Sequence, residues 1–360
     1  VASGMTRHPT EDMTRRNRVL HSARETKRKF VNGERALISR LSEIFNAPDG
    51  EERRQEEVLI GAGSDDCAVL DLKGEDYLVV TTDMLHMTTD FPEGMTPWQM
   101  GWMSAAVNLS DIAAMGAEPT GLLMAIGMPS DTEIAFVEEL AKGIQACAAF
   151  CGTSVIGGDL DTHAELTITG TALGRVKKSQ LLLRKGAKPG DLVCVTGYAG
   201  SAGAALKAVQ LKKPVSKNVL KALFEPIPRT REAKQLAESG AVTSMMDTSD
   251  GLAMSLYDLS RQSKTGFKIR ENALPILPEV RKFASGPEEL LEFALYTGGD
   301  FELIFTIDPE RLKKVQNICN LTIIGECTEY ETGIMLESPE CRLTAIKQLG
   351  YQQLKAETAD

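Results

Sequence analysis

Asn108-Leu109-Ser110-Asp111-Ile112-Ala113-Ala114-Met115-Gly116-Ala117 is the stretch whose reading decides the fold. It reads as the end of a helix. Thr96 is a good N-cap, Pro97 suits the first helical position, and Gln99 completes a T-x-x-Q capping box. Gly116 offers a stop just past the last turn, with Pro119 shortly after. Met100, Met103, Ala106, Val107, Ile112 and Met115 are all fit to face a core. Asp111 stands out on this nearly uncharged helix, about one turn from the negative end of its dipole. A carboxylate there wants a cation. Taken alone, it reads equally as an exposed Asp or one bonded to nearby backbone, so the rest of the chain must decide.

Outward from that helix, composition sets the limits. With 360 residues and 42% hydrophobic content, the chain is long enough to bury a sizeable core in two domains. Apolar runs such as Leu122–Met128 are too short to span a bilayer, and no charged n-region with an apolar h-region opens the sequence. Seven scattered cysteines without metal-site spacing point to a reducing, cytoplasmic setting. Cys147 and Cys151 share a helical face and read as core thiols. The net charge is −10, and residues 1–35 hold nine Lys/Arg against four Asp/Glu. The remaining residues therefore hold 31 against 46, a net of −15. A body that acidic is a poor binder of nucleic-acid phosphates, yet it can hold phosphates through divalent cations.

The chain punctuates into two halves. Residues 1–34 form a basic extension; Glu34–Phe45 has helical spacing and starts the folded body. Val58–Ile60, Cys67–Leu72 and Tyr77–Thr82 read as strands, then the Thr96–Met115 helix, the strand Gly121–Met128 and a helix from Asp131 to Cys151. Val155-Ile156 is a strand stub ending in Gly157-Gly158-Asp159, and Leu166–Leu173 is a further strand. The pattern restarts near residue 175: a turn at Lys188–Asp191, the strand Leu192–Thr196 and an Ala-rich helix. Strands at Val242–Met246, Phe301–Ile307 and Leu321–Ile324 follow, with helices at Gly251–Ser263 and Leu290–Leu295. The expectation is an α+β chain of two domains, 35–174 and 175–360, with antiparallel or mixed sheets.

Acidic residues recur at the expected strand ends: Asp65-Asp66, Asp83, Asp159, Asp247, Asp250 and Asp300. Strand ends fix a carboxylate while the loop leaves room for ligand. Any one of these could be a turn residue, as in Asp250-Gly251. Together with Asp111, they could not all ionise in one place without counter-cations. Donors that are all oxygen, without His or Cys, select hard ions, Mg²⁺ first. Gly61-Ala62-Gly63 is a lone G-x-G, Gly197–Gly203 lacks the Lys of a Walker A loop, and no kinase H-R-D loop, G-x-S-x-G elbow or H-E-x-x-H occurs.

In order and spacing, the motifs resemble the thiamine-monophosphate kinases of the AIR-synthetase-like superfamily. The carriers are Ser64-Asp65-Asp66-Cys67-Ala68, Thr81-Thr82-Asp83, Asn108–Pro119, Gly157-Gly158-Asp159 and Arg184-x-Gly186-Ala187-x-Pro189-Gly190-Asp191. Val195-Thr196-Gly197, Met246-Asp247-x-Ser249-Asp250-Gly251-Leu252 and Gly298-Gly299-Asp300-Phe301-Glu302-Leu303 continue the series over roughly residues 35–351. The resemblance implies a two-domain subunit whose N-terminal domains pair into a β-barrel-like sheet in a homodimer, with a C-terminal α/β sandwich domain. It implies that ATP and several Mg²⁺ ions meet thiamine monophosphate, which is phosphorylated to thiamine diphosphate. On the matching positions, Asp66, Thr81, Thr82, Asp83, Asp111, Asp159, Asp247 and Asp250 would bind metal, with Asp250 and Asp111 central to catalysis. Gly158, Asp159, Arg184 and Ser249 would hold ATP; Asp90, Asp300 and Tyr351 would face the acceptor.

The sequence also departs from the family. A substrate-contacting His falls at Asp90, and the family's G-G-E-D-Y-E-L appears one residue short as Gly298–Leu303. Ser64 replaces a Gly, and Leu160 a Thr. The departures gather in the acceptor half. The alternatives are a related superfamily enzyme acting on another small phosphorylated acceptor, or a non-catalytic nucleotide-binding relative.

Overall fold

The computed structural model describes residues 33–46, 57–316, 318 and 320–353. The basic stretch 1–32 lies outside the described residues. The described residues fall into two units, 33–41 with 352 and 353, and those between 42 and 351. Helix α1 (Gly33–Phe45) begins one residue before its expected start, and the Gln353 N–H donates to Glu34 at 2.7 Å.

The second unit carries two sheets. The first has six strands: β1 (Val58–Ile60), β2 (Ala68–Leu70), β3 (Asp76–His86), β4 (Glu118–Met128), β5 (Val155–Thr162) and β6 (Thr167–Lys177), in the order β1-β2-β3-β6-β4-β5. Its pairings are antiparallel except β4 with β5. The second has seven: β7 (Leu192–Thr196), β8 (Val242–Asp247), β9 (Gly266–Arg270), β10 (Leu303–Ile307), β11 (Leu321–Thr328), β12 (Ile334–Glu337) and β13 (Leu343–Ala345). Their order is β13-β12-β9-β11-β7-β10-β8, with β12 and β9 parallel. The α+β class with mixed sheets is as expected.

Helix α2 (Pro97–Ala114) has the predicted capping box, with Thr96 and Gln99 each accepting from the other's backbone N–H. Gly116 stops it at φ +67°. Ala105, Ala106, Leu109, Ile112 and Ala113 are fully buried, so the helix is core on nearly every side. It packs on α3 (Ile134–Phe150), and the approach needs glycine on both partners. A Cβ on Gly101 would fall 2.0 Å from the Leu140 carbonyl, and one on Gly143 would fall 1.8 Å from that of Trp98. Helix α3 starts at Ile134 rather than Asp131, with Glu133 at its N-cap and no side-chain cap bond.

Several strands run longer than the sequence suggested, β3 and β5 among them. β3 continues to His86 because β6 pairs with it along its whole length, from Asp76↔Lys177 to His86↔Thr167. Asp83 therefore lies inside a strand, not after one. β5 continues through Gly157-Gly158-Asp159 to Thr162, held parallel to β4 by the register Gly158↔Met124 and Asp159↔Ala125. Tertiary pairing overrides the weak strand preference of Gly and Asp in both cases.

The second sheet is flanked by α4 (Ser201–Gln210), α5 (Lys217–Phe224), α6 (Thr230–Ser239), α7 (Leu252–Ser263), α8 (Pro278–Phe283) and α9 (Pro287–Tyr296). β10 is buried at all five positions, the signature of a central strand.

Candidate active site

β3 presents alternate residues to α2. Thr81 and Asp83 face the helix, and Thr82 faces away. The Thr81 hydroxyl donates to Asp111 at 2.6 Å. The Asp83 N–H donates to Asn108 at 3.1 Å, and Asn108 is anchored through its own amide to the Ser104 carbonyl. Asn108 and Asp111 are three apart on the helix and so share the face that meets the strand. Thr82 donates to the Gly170 carbonyl at 2.7 Å on the opposite side of the sheet, so its hydroxyl is not part of this cluster.

Ser110 turns to the other half of the chain. Its hydroxyl donates to Asp247 at 2.6 Å, at the end of β8. Ser249 completes Asp247's shell with its hydroxyl at 2.8 Å and its N–H at 3.3 Å. Asp66, in the loop before β2, joins from a third direction. One carboxylate oxygen each from Asp66, Asp111 and Asp247 lie within 4.8 Å of one another. These are three of the eight residues that the resemblance named for metal.

Electrostatics binds Asp83 and Asp250 to the same group. Burial first, then the charges of Asp247, Asp250 and Asp66, push the Asp83 carboxyl up to about 6. Burial also raises Asp66, to about 6 despite the Arg184 guanidinium beside it. Asp111 is raised well above the usual range, by burial and then by Asp83, Asp247 and Asp66. Burial lifts Asp247 against the hydroxyls of Ser110 and Ser249. Carboxyls held up by burial and by one another want a cation to ionise. Hard oxygen donors at this spacing suit Mg²⁺, and no thiol or imidazole competes within the set.

Arg184 lies against the cluster. Its guanidinium donates to both oxygens of Asp66, at 2.6 and 3.3 Å, and its backbone N–H donates to Asp65 at 3.0 Å. Asn108 and Ser110 carry no role in the sequence reading, although both sit inside its quoted motifs, and Asp65 figures there only among the acidic residues at strand ends. The signal was their adjacency to the ligating residues, Asp65 beside Asp66 and Ser110 beside Asp111.

The structure does not gather every expected residue here. Asp159 is exposed on edge strand β5. That strand is three places from β3 in the sheet, roughly 14 Å at ordinary strand spacing. Gly158 beside it is required by the pairing, since a Cβ would fall 1.9 Å from the Met124 carbonyl. Asp300 spends both oxygens on backbone N–H groups at the start of α4, Gly200 at 2.6 Å and Ala202 at 2.9 Å. Burial pushes its carboxyl up to about 7. Glu302 beyond it is held by Arg229 and by the Thr196 hydroxyl. Asp90 accepts from the His86 N–H at 2.8 Å and the Thr89 hydroxyl at 2.7 Å, closing its own turn. Its other oxygen faces the Tyr351 hydroxyl at 3.5 Å. The Tyr351 N–H donates to the Asp250 carbonyl at 3.0 Å, which ties this corner to the carboxylate cluster.

Residues 64–176 match "AIR synthase related protein, N-terminal domain", and residues 188–335 match the corresponding C-terminal domain. The chain is 46% identical over 270 residues to a thiamine-monophosphate kinase of Methanospirillum hungatei, covering 74% of this chain and 86% of that protein. It is 37% identical over 281 residues to the Pyrococcus horikoshii enzyme of the same name, covering 78% and 87%. It superposes on a structure described as AaThiL complexed with AMPPCP and TMP with a TM-score of 0.77 at 26% identity, covering 91% of this chain and 99% of that one. The chain therefore belongs to the thiamine-monophosphate kinase family, built from an N-terminal and a C-terminal AIR synthase related domain.

Proposed function

We propose that the protein transfers the γ-phosphoryl group of ATP directly, in line, to the phosphate of thiamine monophosphate, giving thiamine diphosphate. The observation that carries this is the meeting of Asp66, Asp111 and Asp247, from three separate elements, within 4.8 Å. The named relatives point the same way.

These three, with Asp83 and Asp250 alongside, would hold Mg²⁺. Bound there, the ion supplies charge neutralisation between two polyanions and polarises the transferring phosphoryl group. The residues of the chain do the rest. Thr81, Ser110 and Ser249 orient the carboxylates before the substrates arrive. Arg184, hydrogen-bonded to Asp66, is suited to the nucleotide's phosphates. A phosphate monoester has a second pKa of about 6, so the acceptor is already largely deprotonated at neutral pH and needs no general base.

At the acceptor end, Asp90 and Tyr351 place a carboxylate beside an aromatic ring. That pair suits the cationic thiazolium of thiamine monophosphate, through charge and ring contact together. Asp90 standing where the family has a His makes this corner more acidic without removing its aromatic wall.

The reading includes a homodimer. The first sheet packs α2 on one face, while Met84, Leu123, Ile156 and Leu160 are exposed. Met84 and Leu123 lie on the opposite face to the buried residues of β3 and β4, and an apolar surface of that kind is suited to a second copy. It also includes a reducing, cytoplasmic setting, supported by free thiols at Cys67, Cys147, Cys151, Cys194, Cys327 and Cys341. No helix among the described residues is long and apolar enough to cross a membrane. The domain division at 174/175 belongs to the same proposal, although it falls inside β6 and the break between the two sheets lies between Lys177 and Leu192.

Incubating the protein with Mg²⁺, ATP and thiamine monophosphate tests the reaction. Equal yields of ADP and thiamine diphosphate are expected; ADP without thiamine diphosphate would favour another acceptor.

A further inference from the structure

One buried carboxylate near the site is not used by the chemistry above. Asp258 lies on α7, 1% exposed, with an oxygen 4.0 Å from the Arg184 guanidinium. Its other oxygen accepts from Arg261 at 2.7 Å, one turn further along. The same end of α7 grips Arg184 again through Ser263. That hydroxyl donates to the Arg184 carbonyl at 3.0 Å and accepts from the N–H groups of Gly186 and Ala187, at 3.0 and 3.2 Å. Gln262 reaches across to the Ser64 carbonyl at 3.1 Å, just ahead of Asp65-Asp66. Helix α7 therefore starts beside Asp250 and, over its last two turns, cradles both the Arg184 segment and the loop that carries Asp66.

Arg184 has three carboxylates around it, Asp65, Asp66 and Asp258. Asp66 is the one it holds at hydrogen-bond distance, and Asp66 is also in the cation set. The two demands conflict. A cation on Asp66 competes with the guanidinium for the same oxygens, and Arg184 keeps its place only if other anions hold it. We propose that Asp258 is a positioning residue that holds Arg184 from behind, so that Asp66 can be given up to the cation while Arg184 stays poised for phosphate. Asp65 assists by fixing the Arg184 backbone N–H. Arg261 draws on the same carboxylate from its exposed side and so weakens the hold.

This inference rests on the cation site proposed above, and the test separates the two. Mg²⁺ alone is titrated calorimetrically into the nucleotide-free protein, for the parent, Asp258→Asn, Arg184→Gln and the double variant. Without Asp258, Arg184 settles on Asp66 and competes with the ion, so Asp258→Asn weakens Mg²⁺ binding by about 10-fold, the scale of losses seen when a group supporting a metal ligand is removed. With Arg184→Gln already in place, the competitor is gone and Asp258→Asn has less than about a twofold effect. Arg261→Gln gives the opposite sign, tightening Mg²⁺ binding by about twofold in the parent and leaving it unchanged beside Arg184→Gln. It carries the test if Asp258→Asn does not fold. Equal losses in both backgrounds would reduce Asp258 to a distant charge and overturn the proposal. A parent protein that binds no Mg²⁺ would overturn the cation site itself.

Discussion

Ser110 and Asp247, 137 residues apart and each no more than 1% exposed, are joined by a 2.6 Å hydrogen bond. It ties the helix that carries Asp111 to the strand that carries Asp247, so two ligands from different halves of the chain share one frame. A hydrogen bond to a charged group contributes about 1.5–3 kcal/mol. Ser110→Ala should lower stability by an amount in that range and weaken Mg²⁺ binding, since Asp247 keeps only its Ser249 contacts. Chemical denaturation with and without Mg²⁺ measures both.

The cluster also predicts how stability varies with pH. Asp66 and Asp83 are pushed from 3.8 up to about 6, chiefly by burial. A carboxyl that holds its proton more tightly in the folded state adds stability below its ordinary value and loses it as pH rises through the raised one. The metal-free protein should therefore lose thermal stability as pH climbs through 6, and Mg²⁺ should restore it most at the higher pH. At an excess of 100 times its dissociation constant, a bound ion adds about 2.7 kcal/mol. Melting curves at pH 5 and pH 8, with Mg²⁺ and with a chelator, should diverge in that sense.

Asp300 is expected to matter for folding more than for the acceptor. Both its oxygens are bonded to the N–H groups of Gly200 and Ala202 at the start of α4. Losing such a cap costs about 0.5–2 kcal/mol. Asp300→Ala should lower the melting temperature while KM for thiamine monophosphate stays near the parent value. A large rise in KM at unchanged stability would return Asp300 to the acceptor.

Tyr351 makes the opposite prediction. Its ring, beside Asp90, is suited to a cationic partner, and such contacts are worth about 0.5–1 kcal/mol at exposed sites. Tyr351→Leu should raise KM for thiamine monophosphate by about two- to fivefold and leave KM for ATP unchanged. Steady-state kinetics with each substrate varied in turn checks the split.

Where the sequence was legible, a local rule governed. Thr96 and Gln99 name the start of α2 because a capping box is settled within four residues, and Gly116 names its end for the same reason. Asp66, Asp111 and Asp247 drew notice as carboxylates at strand ends or on an uncharged helix, and the family motifs they sit in linked them. Asp83 and Asp159 were misplaced relative to their strands because long-range pairing, not local preference, carries β3 and β5 through polar residues. Asp258 gave no signal at all. The packing of α7 against the Arg184 segment buries the carboxylate, and nothing local to residues 258–261 announces that contact.

The central claim is that Asp111 and its partners hold the cation on which phosphoryl transfer depends. Its most direct test compares thiamine diphosphate formation by the parent and by Asp111→Asn at saturating Mg²⁺ and ATP, with circular dichroism confirming the same fold. The account predicts a loss of at least about 10²-fold in kcat, the scale on which electrostatic stabilisation of a transition state is removed. Full turnover by a folded Asp111→Asn would contradict it.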